Sequence, residues 1–233
     1  MTRAMQIIPV LDLKGGIVVH ARGGQRSGYG PLRSPLVHGC EPVNVARALC
    51  SAAETNTVYV ADLDAIAGAA ADTKTLAALA EVAELWVDAG ATTPEQSAAL
   101  ACAGVARNVI GTESLGAGPE QAGAGPSRVL SIDLRDGRLI SPRPDLAGRE
   151  PGAAVPLATA LGVRELLVID VARVGSNSGP PLRAVAELAA ALPGHAIYAG
   201  GGVRDEEDLR ALESAGATGA LVATALHEGR VRP

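Results

Sequence analysis

Five apolar runs in this chain of 233 residues stop at an aspartate: Asp12, Asp62, Asp88, Asp133 and Asp170. A carboxylate at the end of a buried run has two uses. It can accept hydrogen bonds from loop amides, or it can do chemistry at the rim of a cleft. Asp12 and Asp133 fit the second use, because each precedes a basic residue and a glycine turn (Lys14-Gly15-Gly16 and Arg135-Asp136-Gly137). Two carboxylates that share one cleft raise each other's proton affinity, so one can serve as acid and the other as base. They are the expected catalytic pair, with Asp62 and Asp170 in support. A metal held by the acidic ring is the rival reading. His20, His38, His195 and His227 show no ligand spacing, so neither metal nor cofactor is expected.

A second constellation could bind an anion. In IYAGGGVRDEEDL (197–209), Gly200, Gly201 and Gly202 follow an apolar run, and Asp205 is placed to cap a helix that opens with Glu206, Glu207 and Asp208. That helix start is neutralised by its own acids. The next apolar run ends in Ala223-Thr224-Ala225, with no acid until Glu228. Free backbone N–H groups there, beside Gly201 and Gly202 and the Thr224 hydroxyl, would hold a phosphate.

These residues need strands and helices to position them. Short continuous apolar runs over 7–11, 57–61, 85–87, 107–110, 128–132, 165–169, 197–199 and 219–222 read as buried parallel strands. Helical stretches follow most of them, over 42–53, 72–83, 94–103, 152–161, 181–192 and 205–215. Eight strands with crossover helices predict a TIM (β/α)8 barrel, with a doubly wound open sheet as the structural alternative. Two irregularities are expected. GAGPEQAGAGP (116–126) is too rich in Gly and Pro for a helix, and only a short turn of helix near 224–228 follows the last strand. The second should leave an apolar flank between the first and seventh helices, open to another copy of the chain.

The chain also compares with itself. WVDAGATTPEQSAALACAGVARNVIGTESL, from Trp86, matches YAGGGVRDEEDLRALESAGATGALVATALH, from Tyr198. Gly90 then pairs with Gly202, Thr112 with Thr224, Asp62 with Asp170 and Asp12 with Asp133. One domain spanning 1–233, built from half-barrels of about 1–115 and 116–233, is expected. The repeat of the phosphate grip would comprise Asp88, Gly90, Gly111 and Thr112. Asp88 stands where the other half has glycine, so this second grip is expected to be weakened.

Composition narrows the partners. Net charge is −5, and Trp and Tyr are few with no Phe, which argues against nucleic acid. No signal peptide or membrane span is read, and Cys40, Cys50 and Cys102 are unpatterned, so a cytoplasmic protein with reduced thiols is expected.

Taken together, IIPVLDLKGGIVVHARGG, VYVADLD, IGTE, IDLRDG, IYAGGGVRDEEDLRAL and ATALHEGR resemble the histidine-biosynthesis barrels. These are the phosphoribosylformimino-5-aminoimidazole carboxamide ribotide isomerase and its cyclase relative. The resemblance covers nearly the whole chain and is closer to the isomerase. It implies a half-barrel duplication, two phosphate sites and a metal-free Amadori rearrangement, in which Asp12 is the base at C2 and Asp133 the acid that opens the ribose. It also implies roles for Asp170, Arg173, Gly175 and Ser176 in the run IDVARVGSNSG, the last two at phosphate. In that run Ile169 and Val174 replace a threonine and an aspartate that support catalysis in the family. RLISPRPDLAGREPG lacks the tryptophan expected to stack on substrate. These departures resemble the isomerase-related proteins of methylotrophs and methanogens.

Three functions follow as expectations: an aldose–ketose isomerase on a phosphosugar or aminosugar; another reaction on a monophosphate in one-carbon carrier biosynthesis; or a non-catalytic phosphometabolite binder. Retention of both Asp12 and Asp133 speaks against the third.

Overall fold

The computed structural model describes residues 5–116 and 126–232. The Gly/Pro-rich segment expected to be irregular lies almost wholly outside the described residues.

Eight parallel strands close into a barrel: β1 (Gln6–Lys14), β4 (Thr57–Asp62), β5 (Glu84–Asp88), β6 (Arg107–Gly111), β7 (Ser127–Arg135), β9 (Glu165–Asp170), β10 (Ala196–Gly200) and β11 (Gly219–Val222). Each pairs with the next, and β11 returns to β1 with Gln6 opposite Gly219. The open-sheet alternative is thereby excluded. Helices α1 (Pro42–Ala52), α2 (Leu63–Ile66), α3 (Thr73–Ala80), α4 (Pro94–Cys102), α5 (Val155–Leu161), α6 (Leu182–Ala191) and α7 (Glu206–Ser214) occupy crossovers, and α8 (Thr224–His227) follows β11. Their starts obey local chemistry. Thr93 and Gln96 form a capping box at α4, Glu41 caps α1 ahead of Pro42, and Asp205 accepts from the Glu207 and Asp208 amides at α7.

Side-chain parity splits the core in two. Along β4, Val58 and Val60 face the helices while Tyr59 and Ala61 face the barrel axis. The main apolar layer lies between strands and helices, and a smaller cluster around Ile8, Trp86, Val109, Val129, Leu167 and Tyr198 fills the interior. At the N-terminal end of the strands Trp86 meets Tyr198 edge to face at 4.8 Å. The Arg107 guanidinium lies 4.7 Å from the Trp86 ring centroid and pairs with Glu84 and Glu165. This floor closes one end, so a ligand enters from the other.

Two strands run further than their apolar runs suggest. β1 continues past Asp12 and turns through Gly15-Gly16 into β2 (Ile17–His20), which pairs with β3 (Gly30–Pro31). β7 continues past Asp133 and turns through Asp136-Gly137 into β8 (Arg138–Leu139). All four turn residues have positive φ, as two-residue hairpins of this hand require. Asp12 and Asp133 therefore sit inside hairpin strands rather than at strand ends.

The expected apolar flank is not exposed. α8 packs against α1, and its Ala225 and Leu226, with Val231 beyond, are buried in the helix layer. Among the described residues the exposed large hydrophobic side chains are Leu36 and Leu182, and neither lies on α1 or α7. No described helix is long and apolar enough to cross a membrane.

Candidate active site

A cavity of about 250 Å³ opens at the C-terminal end of the barrel strands. Of the residues singled out by sequence, Asp12, Asp88, Asp133, Gly175, Gly201, Gly202, Ala223 and Thr224 line it. Gly90, Gly111, Thr112, Asp62, Asp170, Arg173 and Ser176 stand behind or beside it.

Asp133 is the most elaborately held carboxylate. Ser131 donates its hydroxyl to Oδ1 at 2.6 Å, and the Glu113 amide donates to Oδ2 at 3.2 Å. The Asp133 amide in turn donates to the Thr112 hydroxyl at 2.9 Å. Thr112 is fully buried, and its hydroxyl serves Asp133. Gly111 is needed for a related reason. A Cβ there would lie 2.6 Å from Asp133 Oδ2 and 3.3 Å from Asp88 Oδ2, so both carboxylates lean on a bare Cα. The Gly90 amide donates to Asp88 Oδ1 at 3.0 Å.

Burial governs the charge of these groups. It pushes Asp133, 3% exposed, up to about 8, aided by the neighbouring charges of Asp88 and Glu113. Burial likewise pushes Asp12 up to about 7 against the pull of Arg26, and Asp88 to about 7. Near neutrality, one member of the pair holds its proton while the other is partly ionised.

Asp62 and Asp170 are spent on the backbone. Asp62 accepts from the amides of Ala65 and Asp72. Asp170 accepts from those of Asp136, Gly137 and Ala172, with Arg173 Nε at 3.4 Å. Arg173 then reaches the Gly179 carbonyl at 3.0 Å. These residues shape the loops on which the rim is built. Ser176 is exposed, and its hydroxyl donates to the Arg173 carbonyl.

The glycine run behaves as a wall. Gly201 and Gly202 have φ of +90° and +86°, and a Cβ on either would strike a backbone carbonyl, that of Asp170 or of Gly179. Across from them, α8 begins at Thr224 with no side chain capping its first amides. Gly175 is bare because the Ala21 carbonyl lies against it.

Several lining residues carry only a weak signal in local sequence. Arg26 and Tyr29 arrive on the loop between β2 and β3. That loop is pinned across the mouth by an Arg26–Glu113 ion pair, by Lys14 Nζ donating to the Arg26 carbonyl at 2.7 Å, and by the Gly23 amide donating to that of Val174 at 2.7 Å. Their basic and glycine-rich surroundings, ARGGQRSG, are the available cue. His227 lies 2.8 Å from the Ser34 hydroxyl through Nδ1, and burial pushes it down to about 4, so it faces the cavity uncharged. Among the described residues no three His, Cys, Asp or Glu side chains are grouped to hold a metal ion.

A barrel with opposed aspartates and a glycine-walled rim can be matched to known proteins. The profile of the family described as histidine biosynthesis protein matches residues 6–232. The chain belongs to the histidine biosynthesis protein family. Within that family it is similar to enzymes named 1-(5-phosphoribosyl)-5-((5-phosphoribosylamino)methylideneamino)imidazole-4-carboxamide isomerase. The one from Rubrobacter xylanophilus is 34% identical, over 96% of this chain and 92% of its own. The one from Acidithiobacillus ferrooxidans is 31% identical, over 97% and 95%. It is also similar, at 27% identity over 97% of this chain and 94% of the relative, to an uncharacterized protein of Methanocaldococcus jannaschii.

Proposed function

We propose that this chain is an isomerase of the aldose–ketose type, acting on a phosphorylated sugar derivative by an Amadori rearrangement. The observation that carries this reading is the placing of Asp12 and Asp133, from different strands, on one cavity, with burial holding their protons near neutrality. Asp133, protonated, gives its proton to the ring oxygen as the C1–O bond breaks and the nitrogen lone pair forms a C1=N bond. Asp12, ionised, takes the C2 proton, and the electron pair left at C2 becomes the C1–C2 double bond of an enolamine as the C1=N pair returns to nitrogen. Loss of the C2 hydroxyl proton and gain of one at C1 complete the ketose. Hydrogen has moved from C2 to C1 with no net redox change. General acid and base groups of this kind contribute on the order of 100- to 10,000-fold each. The phosphate is held by the amides of Gly201, Gly202, Ala223 and Thr224 with help from Gly175.

A second reading is favoured by Ile169 and Val174, which make the β9 side of the cavity apolar where the resembling isomerases carry a threonine and an aspartate. A relative acting on a different monophosphate, as in one-carbon carrier biosynthesis, would need no polar groups there. Complementation of a histidine auxotroph lacking the carboxamide isomerase separates the two. Growth supports the isomerase acting on the histidine-pathway substrate, and its absence with soluble, folded protein supports the altered substrate. In either case Asp12→Asn and Asp133→Asn are expected to abolish turnover while inorganic phosphate still binds. Near-normal rate in either variant overturns the acid–base assignment.

A further inference from the structure

We propose that the end of the cavity formed by Asp88, Tyr59 and Glu113 holds a protonated amine, and that the substrate is a phosphate monoester carrying a basic nitrogen. This rests on the phosphate grip of the preceding reading and extends it to the other end of the ligand.

The charges around this end are unbalanced. Asp12, Asp88, Asp133 and Glu113 all line the cavity; of the two guanidiniums that also line it, Arg26 is committed to Glu113, and Arg135 lies beside Gly24 and Val171 on the β9 side. Asp88 is 3% exposed and spends Oδ1 on the Gly90 amide, while Oδ2 lies beside Gly111 with no donor among the described residues. An independent group points the same way. Tyr59 is 4% exposed, faces the cavity from β4, and its hydroxyl has no hydrogen-bond partner among the described residues. The charges that bear on it are those of Asp88, Asp133, Asp12 and Glu113. A neutral phenol oxygen and a free carboxylate oxygen are both acceptors for an ammonium N–H.

A second phosphate at this end would meet Asp88 and Glu113 at close range in a site shielded from water, where like-charge repulsion is strong. A cation does the reverse. It favours the ionised form of Asp88, which burial pushes up to about 7, and it fills the acceptors left open by Asp88 and Tyr59.

The test is calorimetric titration of the whole protein at neutral pH with inorganic phosphate, short ω-aminoalkyl phosphates, alkyl phosphates of matched length and the corresponding bisphosphates. The aminoalkyl phosphate is expected to bind about tenfold or more tightly than its alkyl counterpart, as a charge-assisted hydrogen bond would give, with the bisphosphate weaker than both. Asp88→Asn should erase the preference for the amine and leave alkyl phosphate affinity in place, and Tyr59→Phe should reduce that preference. Equal affinity for amine and alkyl forms, preference for the bisphosphate, or Mg²⁺ or Zn²⁺ binding alone that Asp88→Asn removes would each overturn the proposal. Failure of every phosphate ester, inorganic phosphate included, would instead overturn the phosphate grip and the preceding reading with it.

Discussion

At pH 7 Asp133, pushed up to about 8, keeps its proton, and Asp12, at about 7, is divided between its two forms. The proposed acid–base mechanism needs Asp12 ionised and Asp133 protonated. The rate should therefore rise as pH passes about 7, fall as it passes about 8, and peak between, which a pH–rate profile at saturating and limiting substrate will read. Removing Arg26 should move the rising limb to higher pH, because its charge is what pulls Asp12 down. Arg26→Ala should show that displacement and Arg26→Lys should largely restore the limb. Asp88 gives a stability prediction with a definite sign. Its carboxyl is raised in the folded chain, so the stability present at pH 4 is lost as pH climbs toward 7. Asp88→Asn escapes that loss. Its advantage in denaturant unfolding should be small at pH 4 and grow to a few kcal/mol at pH 8, since each tenfold change in proton affinity between folded and unfolded chain is worth about 1.4 kcal/mol.

Elements fix what the residues can do. The wall made by Gly201 and Gly202 tolerates no side chain, for lack of both space and a suitable φ. Gly202→Ala should cost roughly 1–3 kcal/mol of stability and weaken inorganic phosphate binding, measured by melting and titration on one preparation. This element is legible in sequence, because glycines between an apolar run and an acidic helix start admit few conformations. The eight barrel strands are legible for a similar reason: buried on both faces, they read as apolar runs such as VYVA and LLVI. The hairpins that carry Asp12 and Asp133 are less so. Lys14 and Arg135 interrupt the apolar pattern, although Gly15-Gly16 and Asp136-Gly137 are strong two-residue turn signals. Arg26 and Glu113 cannot be paired from sequence, since the contact joins two irregular loops from distant parts of the chain. Tyr59 reads as one more strand residue, and only closure of the barrel turns it inward.

The molecule as a whole separates stability from chemistry along the barrel axis. Trp86, Tyr198 and Arg107 close the floor, while Asp12 and Asp133 stand at the opposite end. Trp86→Ala should cost about 3–5 kcal/mol of unfolding free energy and leave the pH dependence of turnover unchanged. The closure of the barrel carries one more consequence. The ladder between β1 and β11 joins Gln6 to Gly219 and Pro9 to Val222, so it is the pairing most remote in sequence within the sheet. During synthesis on the ribosome β1 emerges before the other barrel strands and keeps one edge bare until β11 has been made. The seam is thus the slowest contact to find and the natural place for the sheet to unzip. Pulsed hydrogen exchange during refolding should protect the β4–β5 amides before those that join β1 to β11.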